Sequence, residues 1–465
     1  SIYLPMTIDA KTLFDPSLEK DNCGFGLIAQ RNGKRSRKLV KKSILGLTSM
    51  THRGAIGADG KTGDGCGLLF DLNHSFFKLK VGGELGVELP DFFAVAQLFH
   101  NNDIDFYYSS IRKFLNSQDL DIAVIRSVPV NNEVLGKIAR QNLPNISQVF
   151  ITSKNTNLNK ERFEACLLQA RKFIEEKFDN DEEFYVCSMS TQTIVYKGLM
   201  LPSAIDQFYL DLKDKKFEAK ICLFHQRFST NTLPRWHLAQ PFRLLAHNGE
   251  INAIRGNRNW AKARKSKFST ALIPEITTFK NLVNEKGSDS SALDNMIEIL
   301  VKGGINTFRA LRMVLPPAWQ NIHMMDPEIK SFHEYNSMHM EAWDGPAGIV
   351  MSDGRWAICL LDRNGLRPAR YQIDNEGYVT IASEIGVFPQ DESNFITKGR
   401  IGAGGIFAID TETGELIDQS IIDNKLKEGK PYRAWLRSKA KYLESSLYNY
   451  AGSGIKLISS ANLNK

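Results

Sequence analysis

The stretch that decides the fold is Asp21-Asn22-Cys23-Gly24-Phe25-Gly26, near the start of a 465-residue chain. A small thiol flanked by glycine stands where removal of a short leader would make it the first residue. Such a residue holds nucleophile and base together, because an α-amine titrates at about pH 8 and a thiol at about 8.5. Taken alone, a Cys-Gly pair is more typical of a buried, inert cysteine. Its meaning depends on three clusters further along the chain.

The first two clusters contain residues suited to binding a carboxylate and to forming an oxyanion hole. Gln226-Arg227-Phe228-Ser229-Thr230-Asn231-Thr232 follows an apolar run, and an arginine at a strand end can hold a carboxylate through two parallel hydrogen bonds. In Ala246-His247-Asn248-Gly249-Glu250-Ile251-Asn252, the side chain of Asn248 and the N–H of Gly249 can converge on one oxygen. Separately, these clusters are also typical of an ion-paired arginine and of an Asn-Gly turn.

The third cluster, Gly287-Ser288-Asp289-Ser290-Ser291, opens a predicted helix. Its carboxylate, on Asp289, can receive an ammonium group, and the alternative interpretation is a helix N-cap. The occurrence of all three clusters in this order is much harder to explain as scaffold alone. Together with the thiol, they favour a cysteine that attacks an amide.

This ordered set resembles the class II (N-terminal nucleophile) glutamine amidotransferases. Within that superfamily it is most similar to the amidotransferase domain that begins the large subunit of bacterial and plastid glutamate synthase. The resemblance runs from about Leu18 to about Trp435, and the long segment between Cys66 and Ile221 favours glutamate synthase over the purine, aminosugar and asparagine relatives. Besides the stretches above, it rests on His52-Arg53-Gly54-Ala55, Lys61-Thr62-Gly63-Asp64-Gly65-Cys66-Gly67, Pro316-Pro317-Ala318-Trp319-Gln320, Trp343-Asp344-Gly345-Pro346-Ala347-Gly348 and Leu361-Asp362-Arg363-Asn364-Gly365-Leu366-Arg367-Pro368-Ala369-Arg370.

The resemblance implies a role for each candidate residue. Cys23 attacks the side-chain amide carbon of L-glutamine, and its α-amine relays the proton. Asn248 and Gly249 stabilise the tetrahedral oxyanion. Arg227 and Asp289 bind the α-carboxylate and the α-ammonium of the substrate.

A sixth candidate is Arg53, which the resemblance places at the loop of the nucleophile, with a structural ion pair as the alternative. The resemblance also divides the chain into a leader over 1–22, an amidotransferase domain over 23–420 and the start of a linker over 421–465. We expect no cofactor in this chain, and FMN and an iron–sulfur cluster in later domains of the full-length enzyme. Those domains and a small electron-donating subunit are the expected protein partners, in the cytoplasm or, for a photosynthetic eukaryote, the plastid.

Composition indicates an ordinary globular protein, with 42% hydrophobic and 24% charged residues and a net charge of +7. Seven of the twelve residues from Arg31 to Lys42 are basic. No aromatic residues interleave with them, so we interpret the run as a solvated hairpin tip and a polar helix face rather than a nucleic-acid site. No apolar run reaches membrane-spanning length, and the first 22 residues lack the apolar stretch of a secretory signal.

The six cysteines never form a C-x-x-C pair, which argues against a metal site or a disulfide framework and for a reducing compartment. The glycine run Gly402-Ala403-Gly404-Gly405 leads into an apolar segment and then Glu412-Thr413-Gly414-Glu415. That order is typical of hairpins, whereas a nucleotide-binding loop needs a helix start.

Apolar patterns predict short strands and four helices without steady βαβ alternation, which indicates an α+β fold. The resemblance refines this to the four-layer αββα sandwich of the N-terminal nucleophile hydrolases, with two antiparallel sheets. The predicted helices are about Lys38–Met50, Lys160–Phe178, Arg255–Lys265 and Asp289–Val301. The predicted strands are Gly24–Gln30, Gly67–Asp71, Phe92–Phe99, Ser147–Thr152, Tyr185–Ser190, Ile221–Phe228 and Leu244–Asn248, followed by Ala347–Met351, Trp356–Leu361, Ala369–Gln372, Val379–Ala382 and Gly405–Ile409.

Two other functions stay open on the sequence. An amidotransferase that feeds a sugar or purine acceptor would carry a phosphoribosyl or sugar-phosphate domain after about residue 420. A non-catalytic regulatory module would keep the leader before Cys23 and release no ammonia.

Overall fold

A computed structural model describes residues 23–50, 60–61, 63–227, 235–320, 324–363, 369–383, 387 and 395–436. The strands are β1 Gly24–Gln30, β2 Cys66–Asp71, β3 Ala94–His100, β4 Leu120–Ser127, β5 Asn145–Ser153, β6 Tyr185–Ser190, β7 Thr193–Gly198, β8 Ile221–Gln226, β9 Leu245–Gly249, β10 Ala347–Ser352, β11 Trp356–Leu361, β12 Ala369–Asp374, β13 Tyr378–Ala382, β14 Phe395–Ile401, β15 Ile406–Asp410 and β16 Leu416–Asp418. The helices are α1 Arg37–Ser49, α2 His74–Leu85, α3 Ile104–Asn116, α4 Lys137–Gln141, α5 Lys160–Lys177, α6 Ile205–Phe208, α7 Ile254–Arg264, α8 Asp289–Lys302, α9 Thr307–Val314, α10 Pro327–Ser337 and α11 Gln419–Gly429.

The first sheet is built around β1, whose seven residues are all buried. Its strand order is β14-β12-β13-β1-β8-β2-β7, and β1 pairs antiparallel with β8 and β13. Gly26 is required here, because a Cβ at this position would lie 2.4 Å from the ring of Phe224 on β8. A strand buried on both faces reads as a continuous apolar run, which is why its bounds could be predicted from the sequence.

The second sheet, in the order β16-β15-β11-β10-β9, stacks on the first. Alternate residues of β11 enter different cores, as the strand period of two requires. Ala357, Cys359 and Leu361 join the core that contains β1, whereas Ile358 and Leu360 join the core that contains α8 and α9. The second sheet therefore has one face on the first sheet and the other on helices.

Helices close both outer faces of this pair of sheets. Helix α1 contacts β1 and β8 on one side, and α8 and α11 contact strands of the second sheet on the other. The predicted α+β fold with two stacked antiparallel sheets between helical layers is confirmed. Helix α11 packs Ile422 and Leu426 into the core of the second sheet, and the division of the chain at residue 420 stays a prediction.

A third sheet comes from the segment between β2 and β8. Three of its four strands were predicted, but strand β4 and the existence of a separate sheet were not. The third sheet has the order β4-β5-β3-β6 and carries α3 and α5 on one face. The side chain of Gln97 on β3 donates to the carbonyl of Val195 on β7, at 2.8 Å, and so joins this sheet to the first. The long segment between β2 and β8 is thus an ordered extension of the fold.

The predicted turn before β16 is present. The basic run follows β1 through a turn into α1, so its first residues are not the hairpin tip that was predicted, and the absence of a nucleic-acid site stays a prediction. Strands β15 and β16 form the antiparallel pair around Glu412-Thr413-Gly414-Glu415, and the glycine run before β15 leads to a strand rather than a helix. In the basic run, Arg35 pairs with Asp71 at 2.7 Å and Lys38 pairs with Glu376 at 2.7 Å. These cations already have acidic partners within the fold.

Candidate active site

The nucleophile candidate lies at one end of the first sheet. Cys23 is 9% exposed and directly precedes β1. Gly24 pairs with Gln226, the last residue of β8, so Arg227 emerges at the same end of the sheet. The backbone N–H of Arg227 donates to the carbonyl of Gly65 at 2.8 Å. The fold thus brings together two candidates that are about two hundred positions apart in the sequence.

Asn248 reaches this sheet end from the second sheet. Its Nδ2 donates to the backbone carbonyl of Cys23 at 2.7 Å, and its Oδ1 accepts from Nε2 of His225 at 2.9 Å. An amide oxygen can only accept, so Nε2 of His225 carries the proton. This hydrogen bond fixes the orientation of the amide and turns its donor end toward Cys23.

His225 is a site residue that the sequence analysis missed. It lies two residues before Arg227 on β8 and is fully buried. Burial lowers its pKa to about 3, although its hydrogen bond to Asn248 acts in the opposite direction. The side chain is therefore neutral at physiological pH. The available signal was a histidine two residues before Arg227 in an apolar strand. Only the fold shows that its hydrogen-bond partner is Asn248.

Gly249 ends β9 in a conformation that favours glycine. Its φ is +124°, and a Cβ added here would lie 1.8 Å from the backbone carbonyl oxygen of Pro346. The next residue, Glu250, donates its N–H to that same carbonyl at 3.0 Å. Across the contact, Gly345 has φ +152° and equally close neighbours. Two glycines let the chain segments touch backbone to backbone beside Asn248.

Side chains of helix α8 accept hydrogen bonds from the backbone at both ends of β9. At the outer end, Oδ2 of Asp289 accepts from the N–H of Ile251 at 2.7 Å. At the inner end, Oδ1 of Asp294 accepts from the N–H groups of Leu244 and Leu245 at 2.8 and 3.1 Å. The helix therefore sets the position of the strand that carries Asn248 and Gly249.

Asp289 also accepts from the N–H of Ser290 at 2.8 Å, and the hydroxyl of Ser290 lies 2.6 Å from Nδ1 of His247. A carboxylate has about four lone-pair positions, so two N–H bonds leave room for a further donor. Binding of a substrate ammonium by Asp289 stays a prediction. The side chain has in addition a structural use, which the sequence analysis did not foresee.

Several predicted features lie outside the described residues. They are Arg53, the leader over 1–22, and the part of the second quoted cluster from residue 228 to residue 232. Among the described residues, no group of three or more His, Cys, Asp or Glu side chains is arranged to hold a metal ion. No helix in the described part of the chain is long and apolar enough to cross a membrane.

The other buried cysteines differ from a nucleophile in their surroundings. Cys66 is fully buried, its thiol lies 3.3 Å from the carbonyl of Met200, and burial raises its pKa. Burial likewise raises the pKa of Cys187, Cys222 and Cys359. Because the thiolate is the reactive form, these four thiols are poor nucleophiles.

The comparisons with known proteins agree with this geometry. The sequence model of the class-II glutamine amidotransferases matches residues 23–435. The chain is 36% identical over 443 residues to the glutamate synthase [NADH] of Saccharomyces cerevisiae, covering 92% of this chain and 20% of that protein. It is 37% identical over 440 residues to the chloroplastic/mitochondrial ferredoxin-dependent glutamate synthase 1 of Arabidopsis thaliana, covering 92% and 27%.

With the glutamate synthase [NADPH] large chain of Bacillus subtilis the identity is 38% over 433 residues, covering 92% of this chain and 28% of that one. The chain thus spans less than a third of the length of these curated relatives. The family match begins at Cys23 itself and takes in the strands that carry Asn248 and Gly249. On this evidence the chain belongs to the class-II glutamine amidotransferases.

Proposed function

We propose that the chain hydrolyses the side-chain amide of L-glutamine to glutamate and ammonia, with Cys23 as the nucleophile. One observation carries the proposal: Nδ2 of Asn248 donates to the carbonyl of Cys23 at 2.7 Å. An amide donor held against the nucleophile's own backbone lies where an oxyanion would form on a carbon attacked by that residue. The neighbouring Gly249, with its positive φ, offers a second donor with no side chain in the way.

The reaction begins once the leader is removed, because only then is the nitrogen of Cys23 an amine that can accept the thiol proton. The sulfur adds to the amide carbon, and the oxygen becomes an anion that Asn248 and Gly249 stabilise. Each such donor is worth about 3–4 kcal/mol of transition-state stabilisation. The C–N bond then breaks, and the ammonium of Cys23 gives its proton to the departing ammonia. Water hydrolyses the thioester and regenerates the thiol.

Recognition of glutamine rests on its two charged groups. In this proposal the guanidinium of Arg227 binds the α-carboxylate, and Asp289 binds the α-ammonium. A planar guanidinium makes paired hydrogen bonds with a carboxylate. Arg53 supports the loop next to the nucleophile. Simple amides lack both charged groups and are poor substrates.

The relatives suggest where the ammonia goes. We infer that this chain is the amidotransferase part of a glutamate synthase and delivers ammonia to 2-oxoglutarate. Later domains with FMN and an iron–sulfur cluster and a small electron-donating subunit then complete the enzyme, in the cytoplasm or, in a photosynthetic eukaryote, the plastid. In this proposal the chain on its own acts as a glutaminase module.

The experiment compares protein that begins at Cys23 with protein that keeps the leader. Ammonia release from glutamine is measured for each, and intact mass confirms the first residue. We expect activity only in the processed form, and its loss in Cys23→Ser. The control is Cys166→Ser, which changes a half-buried thiol on α5 and keeps the activity. Full activity with the leader attached would rule out the α-amine as the base.

Two further measurements separate substrate recognition and acceptor. Arg227→Lys raises the KM for glutamine far more than it lowers kcat, because a single ammonium cannot reproduce the paired contact. Addition of 2-oxoglutarate and a reduced flavin donor to this chain alone gives no second glutamate. An unchanged KM would make Arg227 structural, and absence of ammonia release from processed protein would favour the non-catalytic module.

A further inference from the structure

A cavity of about 320 Å³ lies between α9, α10 and the segment that follows α9, apart from the residues assigned to glutamine. Its lining combines apolar and polar side chains, among them Met313, Trp319, Met340, Arg312 and His333. A cavity of this size can take a small organic molecule. Its polar groups determine which kind.

Arg312 is the decisive lining residue. It lies on α9, is 1% exposed, and forms no salt bridge within the described part of the chain. Its one described hydrogen bond runs from Nη2 to the carbonyl of Gly404 at 2.9 Å, while Nε is buried without a partner. A guanidinium has five N–H donors and stays charged. A buried cation with so few partners is costly, and native proteins pair such groups.

His333 on α10 is the second group with unused hydrogen-bonding capacity. It is 3% exposed, and its Nδ1 is buried without a partner. Burial lowers its pKa to about 3, and the charge of Arg312 acts in the same direction. The ring of Trp319 stacks on the imidazole with centroids 6.5 Å apart. A neutral imidazole carries one N–H donor, so it can assist a ligand that accepts hydrogen bonds.

Other polar groups of the cavity have partners, among them the acidic Glu341, which pairs with Arg264 at 2.7 Å. Arg363 pairs with Asp344 at 2.8 Å. The amide of Asn336 accepts from Nε of Arg309 at 3.1 Å and donates to the carbonyl of Phe332 at 2.8 Å. The unmet capacity therefore belongs to a cation and a neutral imidazole. Burial lowers the pKa of Arg312 to about 10, and the charge of Asp423 on α11 acts in the opposite direction, so one acidic group lies nearby. Asp423 forms no salt bridge or hydrogen bond with Arg312 in the described part of the chain, and the guanidinium keeps N–H donors without an acceptor.

We propose that this cavity is a binding site for a small carboxylic acid, whose carboxylate pairs with Arg312 and whose apolar body lies against Trp319 and the two methionines. A planar carboxylate matches a guanidinium by two parallel hydrogen bonds. The cavity volume limits the ligand to a few carbons or one ring. The site is distinct from the one proposed for glutamine, which uses Arg227.

Thermal unfolding of the full chain tests the proposal without any turnover, so its failure is separate from a failure of the glutaminase assignment. The probes are sodium propionate and sodium benzoate. The controls are propionamide and benzamide, which have the same shape without charge, and sodium chloride at equal ionic strength. At a concentration a hundredfold above Kd, the carboxylates raise Tm by about 3 °C. The amides and chloride leave Tm unchanged.

Three variants locate the binding. Arg312→Met removes the unpaired charge, folds, and loses the carboxylate-dependent rise in Tm. Arg312→Lys keeps the charge but not the planar fork, and its Kd rises at least about tenfold. Arg227→Gln, in the other candidate site, keeps the full rise. The proposal is overturned if the carboxylates give no rise, if the amides or chloride give an equal one, or if the rise follows Arg227 instead of Arg312.

Discussion

The molecule buries polar groups in two opposite ways, as Arg126 and Arg312 illustrate. Both arginines are almost fully buried, Arg126 with 2% and Arg312 with 1% of its surface exposed. Arg126, on β4, makes two-pronged contacts with Glu84 and Asp211 at 2.6 to 3.0 Å and also donates to Gln148. Arg312 has one described bond, to a carbonyl. Burial depth is the same in both places, so burial alone does not identify a structural role.

The same contrast holds for two histidines. Each has a buried Nδ1 without a partner, but Nε2 of His225 donates to Asn248, whereas the ring of His333 forms no hydrogen bond within the described part of the chain. Burial lowers the pKa of each to about 3. Through its one hydrogen bond, His225 positions the amide at the nucleophile. A ring that forms no hydrogen bond within the described part of the chain has the capacity to bind a ligand.

The largest effect on stability and activity is expected at Gly249, where two backbone segments are in direct contact. Gly249→Ala places a methyl group 1.8 Å from the carbonyl oxygen of Pro346 and forces a positive φ on alanine. We expect a loss of more than about 3 kcal/mol in the free energy of unfolding and at least a hundredfold lower glutaminase activity, about the worth of one oxyanion donor. Urea denaturation and ammonia release measure the two.

The matched control is Gly256→Ala on α7, where an added Cβ meets open space. Alanine favours a helix over glycine by about 0.5–1 kcal/mol, so this variant gains stability or stays unchanged and keeps its activity. If both variants lost the same stability and activity, the close contact between Gly249 and Pro346 would not be the reason that position 249 needs glycine.

The next effect compares the two arginines directly. Arg126→Met leaves the buried carboxylate of Asp211 without its counter-charge and frees the exposed Glu84, and we expect a loss of about 3–5 kcal/mol in the free energy of unfolding. Arg312→Met removes a cation that forms no salt bridge in the described part of the chain, so stability rises or falls by less than about 1 kcal/mol. Urea denaturation of both variants in carboxylate-free buffer measures the difference. A comparable loss in both would mean that Arg312 has a structural partner after all.

A smaller effect, on activity, separates the two histidines. His225→Phe removes the N–H that holds Oδ1 of Asn248, and kcat for glutamine falls about 10- to 100-fold, the cost of an unsatisfied buried acceptor of about 1–3 kcal/mol. His225→Gln, which again offers an N–H, recovers part of the loss. His333→Phe leaves kcat unchanged. If both Phe variants lose activity equally, His225 contributes packing and not orientation of Asn248.

How far the sequence could predict this molecule depends on whether a feature is local. Strand β11 is apolar throughout and β1 is apolar up to Gln30, and their predicted bounds agree with the structure. Strand β4 was missed, since its polar Asp121 and Arg126 and its partly exposed pattern do not resemble a buried strand. Arg126 becomes buried only because Glu84 and Asp211, distant in the sequence, neutralise it.

The candidate site shows the same limit. The quoted clusters contained Cys23, Asn248 and Gly249 because short motifs carry them, and the fold brings Asn248 to Cys23. The partner of His225 lies 23 positions away on another sheet, and no periodicity connects the two strands. The unpaired charge of Arg312 is likewise invisible in the sequence, where an arginine on a short helix ordinarily lies in solvent.

The smallest effect appears only on acidification, and it sharpens the assignment of His333 as a neutral group. Its pKa is about 3 in the folded protein, through burial and then the charge of Arg312, against 6.5 when unfolded. Between these values the unfolded chain binds a proton that the folded chain does not, so stability falls as the pH falls from 6.5 toward 3. Relative to His333→Phe, the parent protein should lose about 1 kcal/mol more between pH 7 and pH 5.5, and should differ little above pH 7. Urea denaturation at the two pH values measures this. A loss that is equal in both proteins would mean that His333 titrates normally and that the cavity already gives the imidazolium a counter-charge, which would also remove the case for an external carboxylate at Arg312.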